Sequence, residues 1–88
     1  LGFASISGSW SVKSCTGAPV VIEMEAHEYL NPSVVVWDNP RAVDSGKYTI
    51  NGIKVRTTYI ITVTVTDAAT GELQGSLSVT AAAIPKGV

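Results

Sequence analysis

Glu23, Glu25 and His27 recur at every second position of the stretch "VVIEMEAHEY". In an extended chain that spacing puts all three side chains on one face, with Cβ atoms about 7 Å apart. Two carboxylates and an imidazole are a donor set for a divalent ion. Ligands strung along one strand converge on an ion only when a neighbouring strand contributes, so the same residues read more simply as a solvated outer face. No metal site is assigned, and these three are its weak candidates. Asp38, Asn39, Asp44 and Asp67 offer oxygen ligands of the kind calcium takes. They form no dense Asp-x-Asp-x-Asp loop, and Asx side chains bonding their own backbone account for them at turns. Cys15 is the single cysteine and His27 the single histidine. A thiol nucleophile needs a base beside it, and a lone cysteine near a strand end reads as a small buried hydrophobe. "GSWSV" is no strand-turn-helix elbow for a serine nucleophile. No catalytic residue is assigned, no enzyme is expected and no cofactor is implied.

Flat aromatic faces suit sugar rings, which makes Trp10, Tyr29 and Trp37 worth weighing. Trp37, in the β-branched run "SVVVW", reads as core. Trp10, alternating with serines, and Tyr29, beside the polar face of its strand, are the candidate binding residues. Pro32 spoils the only sequon-like tripeptide, "NPS".

These residues are carried by 88 positions, 45% of them hydrophobic and 15% charged, which is enough to bury one small core and too little for two. The predicted division is one domain over residues 1–83 and a tail or linker over 84–88. Six Lys and Arg against seven Asp and Glu leave no basic stripe, so nucleic acid and anionic membrane are not expected as partners. The apolar runs fall far short of the ~20 residues a spanning helix needs, so no membrane insertion by this segment is expected. The opening "LGFASISG" has no basic region followed by an apolar stretch and reads as an excised or processed piece. Any export signal would lie outside it.

The elements that position these groups are read from periodicity, and the period is two almost throughout. "FASISGSWSVKSC" is a first, edge-like strand, with Phe3, Ser5, Trp10 and Val12 on one side and Gly8 as a kink or bulge. "TGAP" turns the chain. Val20, Ile22, Met24 and Ala26 then face the core, opposite Val21, Glu23, Glu25 and His27. "LNPS" breaks that strand, and "SVVVW" reads as a central strand packed on both sides. "DNPRAVDSG" reads as a mobile surface loop with at most a short irregular strand at residues 41–43. "NG" at 51–52 fits either a type I′ hairpin between "KYTI" and "IKV" or a bend between sheets. In "TTYIITVTVTDAATGE", Tyr59, Ile61, Val63 and Val65 face inward, and Thr58, Thr62, Thr64 and Thr66 face outward together with Ile60, the threonines keeping β-branched stiffness while presenting hydroxyls to water. The chain reverses at Gly71. "ELQGSLSVTAAA" returns with Leu73, Gly75, Leu77, Val79 and Ala81 inward. About seven short strands at such spacings make an all-β, antiparallel two-sheet immunoglobulin-like sandwich, with a small barrel as the rival.

"SCTGAPVVIEMEA", "VVVWDN" and "TTYIITVTVTDAATGE", in that order, resemble the PKD-like and bacterial immunoglobulin-like repeats of exported adhesion and gliding proteins. The likeness covers roughly residues 14–71. It implies an extracellular or cell-surface location and a spacing or adhesive role, with neighbouring domains of the same protein or other surface proteins as partners.

The expected function is therefore a noncatalytic structural or adhesive module of a larger surface protein. Its ladders would hold the chain ends apart, and Trp37, Tyr59, Ile22, Met24, Ile61, Val63 and Leu77 would fill its core. One alternative is a carbohydrate-binding module of a secreted enzyme, with polysaccharide as partner. The other is a subunit of an extracellular filament or viral coat, in which an open edge strand or "AAAIPKGV" completes a neighbour's sheet.

Overall fold

The computed structural model describes residues 3–13 and 17–82. Cys15 and the expected tail at 84–88 lie outside the described residues. Six strands follow one another: β1 (Phe3–Ser11), β2 (Val20–Glu28), β3 (Val35–Ala42), β4 (Ser45–Lys54), β5 (Thr58–Asp67) and β6 (Leu73–Ala82). All pairings are antiparallel. They build two sheets, β1-β4 and β3-β2-β5-β6, and neither closes into a barrel. This is the immunoglobulin-like sandwich arrangement that the alternating pattern predicts.

Its core is small and aliphatic. Ile6, Ala26, Ile50, Ile53, Tyr59 and Ile61 form one buried cluster, with Ala4, Val36, Trp37, Tyr48 and Ala81 packed against it. Ile22 and Met24 are buried further along β2. Tyr59 is the largest fully buried side chain, at 1% exposure, and its hydroxyl accepts a hydrogen bond from the Lys54 N–H at 3.1 Å. A tyrosine opening one strand and bonding the backbone a few residues upstream is the corner device of immunoglobulin-like sandwiches. Trp37 is half-buried at the periphery, its ring 5.6 Å from that of Tyr48. That contact joins β3 to β4 and thereby the two sheets.

Several local expectations are corrected. β3 is an edge strand, not a central one, because β2 pairs with β5 on its other side. Pro40, which cannot donate to a ladder, is tolerated there for that reason. The stretch 38–42 belongs to β3, and only residues 43–44 connect β3 to β4. Asn51-Gly52 makes no hairpin. It lies inside β4, where the register with β1 jumps from Ala4↔Ile53 to Ile6↔Ile50. Two residues thus oppose Ser5, and Gly52 supplies the left-handed backbone, φ 68°, that such a bulge takes up. With the bulge there, β1 keeps one parity: Ala4 and Ile6 are inward and Phe3 is exposed.

Gly8 is neither kink nor bulge. A Cβ on it would lie 2.4 Å from the hydroxyl oxygen of Tyr48, its partner on β4, so glycine is there to let that ring cross. Gly46 does the same for Trp10, whose ring would lie 2.8 Å from an added Cβ.

The largest correction concerns β6. Its register places Gly75, Leu77, Val79 and Ala81 beside Val65, Val63, Ile61 and Tyr59, facing the sandwich interior. Among the described residues nothing lies over most of them: Leu77 is 67% exposed and Val79 47%. Leu77 is therefore not core, and Val63 is only half-buried. Alternation assigned the right face, but two strands cannot roof four. The chain also enters β1 and leaves β6 at one end of the sandwich, since Phe3 pairs with Lys54 and Ala82 with Thr58 beside Tyr59. The ladders do not hold these two points at opposite ends.

Candidate functional site

The outer face of β2 carries Glu23, Glu25 and His27 as its alternation demands. Glu23 and Glu25 are exposed, and His27 is half-buried. The neighbouring strands place Thr64, Thr62 and Ile60 beside them on β5, and Asp38 beside Glu25 on β3. His27 Nδ1 lies 3.6 Å from Glu25 Oε1, too long for a hydrogen bond, and has no hydrogen-bond partner. Among the described residues no group of three or more His, Cys, Asp or Glu is placed to hold a metal ion. The spacing along β2 keeps its three donors side by side, and Asp38 on β3 stands opposite Glu25, with Glu23 lining the same small hollow.

Of the oxygen donors weighed for calcium, Asp38 and Asn39 lie within β3 rather than in a turn. The carbonyl of Asp44 accepts from the Val12 N–H at 2.7 Å. Asp67 closes β5. Its Oδ1 accepts from the Ala69 N–H at 2.8 Å and the Thr70 N–H at 2.9 Å, while Thr70 Oγ1 accepts from the Glu72 N–H at 3.2 Å. These backbone bonds, that from Thr70 foremost and then that from Ala69, hold the Asp67 carboxyl below the usual carboxylate range. "DAATG" is thus a self-satisfied turn, with Gly71 at φ 74°.

The two aromatic candidates stand apart. Trp10 is half-buried at the far end of β1, and its Nε1 donates to the Val43 carbonyl at 2.7 Å. Tyr29 is 53% exposed just beyond β2, and its N–H donates to the Thr58 carbonyl at 2.9 Å, at the opposite end of the sandwich. They form no shared stacking platform. Tyr29 instead joins Glu28, Leu30 and Arg56 around a shallow hollow of about 370 Å³.

A third feature was missed by sequence reasoning. Between β1 and β6 runs an open, mainly apolar groove of about 390 Å³, lined by Trp10, Val12, Val63, Val65, Leu77 and Val79 among others. Its residues alternate as core residues do, so periodicity alone could not mark it. The available signal was the count of residues on each sheet.

No helix among the described residues is long and apolar enough to cross a membrane. No family model matches the chain, and neither a curated protein nor a solved structure proves similar to it.

Proposed function

We propose that this sandwich is a noncatalytic, extracellular structural or adhesive module of a larger surface protein, of the PKD-like or bacterial immunoglobulin-like kind. The observation that carries the reading is the placement of the strand ends. β1 begins and β6 finishes at one end, so the body projects from its point of attachment. The opposite end presents the connections at 43–44 and 68–72. Those connections are braced: Val12 donates to the Asp44 carbonyl, and the Ala68 N–H donates to that of Pro19 at 3.0 Å. A projecting body whose far end carries braced connections is suited to contact. The Thr and Ser hydroxyls of the outer faces, paired across strands at Thr62–Ser78 (3.0 Å) and Ser7–Thr49 (3.2 Å), give those faces a water-compatible surface.

Antibody labelling of intact cells, together with deletion of residues 1–88 from the parent protein, tests the reading. Surface labelling, and loss of attachment or of parent assembly on deletion, are the expected results. An intracellular location, or a deletion without effect on either property, would overturn it.

A further inference from the structure

We propose that two copies of this chain interlock through the overhanging half of the larger sheet, about a two-fold axis parallel to the strands. Three observations meet here. β4 lies against β3, as the Trp37–Tyr48 contact shows, so the two-stranded sheet is displaced to one side and leaves the β6 side unroofed. The unroofed strip is apolar, with Leu77, Val79, Val63 and Val65 along it.

The strip is flanked by two strand edges that are unpaired among the described residues, one on β1 and one on β6. Neither strand carries a charge or a proline. The other two free edges do: β3 has Asp38, Pro40 and Arg41, and β4 has Lys47 and Lys54. Charge and proline are how exposed edges are kept from pairing. Their presence on β3 and β4 and absence from β1 and β6 mark the latter pair as edges that meet a partner.

A second copy fits because the overhang is its own complement. Rotation about an axis along the strands sets the second copy's β6 beside β1 of the first, and the first copy's β6 beside β1 of the second. Each layer then has six strands, and the two β6 inner faces close on each other. β1 runs from the Tyr59 end towards the Val65 end, as β5 does, and β6 runs against both. The rotation preserves strand direction, so both new ladders are antiparallel. The contact is isologous and closed.

Light scattering and sedimentation of the 88-residue chain across the micromolar range test this. The expected result is a species of twice the 9.2 kDa chain mass. Leu77→Lys should abolish it while leaving the far-UV circular dichroism unchanged, because Leu77 is exposed in one copy. Thr80→Ser, on the outer face and without charge, should leave the dimer intact. Hydrogen exchange should show the β1 and β6 amides that point away from β4 and β5 protected in the dimer and unprotected in Leu77→Lys. A chain that stays monomeric throughout, a dimer indifferent to Leu77→Lys, or assembly growing beyond two copies would each overturn the proposal. So would capture of a lone extended peptide by a monomeric chain. None of these results bears on whether the module is displayed outside the cell.

Discussion

Asp67 ends the long Thr-rich strand and turns it with its own carboxylate. Because backbone N–H groups hold that carboxyl below its ordinary value of 3.8, folding favours the ionised form. The sign follows from linkage: the contribution is complete above the unfolded value and is lost as pH falls through the depressed folded one. Asp67→Asn keeps an oxygen acceptor and removes the titration. The variant is therefore expected to be less stable than the parent at neutral pH and to show a flatter fall in stability in the acid range, as read by thermal melts across pH. Tyr59 is the other residue whose chemistry is explicit. Tyr59→Phe keeps the buried ring and strands the Lys54 N–H, which should cost about 1–2 kcal/mol in urea unfolding. An unchanged midpoint would mean that the 3.1 Å bond contributes nothing. Both residues were visible in the sequence, one as an Asx turn former and the other as an inward-facing core aromatic, although the bond from Tyr59 to the backbone came only with the structure.

At the scale of elements, glycines decide how the small sheet is built. Gly8 and Gly46 are vacant so that Tyr48 and Trp10 can lie across the neighbouring strand, and Gly52 takes up a bulge. Gly8→Val should cost about 1–3 kcal/mol through overpacking against Tyr48, and Gly8→Val with Tyr48→Ala should lose less than the two single changes combined. Additive losses in that double-mutant cycle would remove the close-approach explanation. The strand faces of β2 and β5 were legible because apolar residues hold every inward position of both, Val20 to Ala26 and Tyr59 to Val65. The path from Trp37 to Lys54 was not, because Asp, Asn, Pro and Gly carry turn propensity that tertiary pairing overrode. An edge strand accepts Pro40 on its unpaired side, and a bulge accepts Asn51-Gly52 as readily as a hairpin does.

For the molecule as a whole, the sandwich is lopsided, and its energetics should be lopsided too. Ile50→Ala, at a buried site of the two-stranded sheet, should cost about 2–5 kcal/mol at any protein concentration. Leu77→Ala should cost under about 1 kcal/mol in dilute solution, because a side chain already exposed loses little by truncation, and more as concentration rises if association stabilises the fold. Equal losses at both sites in dilute solution would show that Leu77 is roofed within a single copy. Composition and alternation in the chain alone determined an all-β antiparallel fold, with a two-sheet sandwich as its expected form, the inward sets of β2 and β5, and a polar Glu–His face, because a period of two leaves each strand only one way to bury its apolar side. How the strands divided between the sheets, which of them became edges, and that Leu77 and Val79 faced inward with nothing above them were decided only in the folded structure. Those outcomes depend on pairings between residues far apart in the chain, and no local pattern records how many strands stand on the other side.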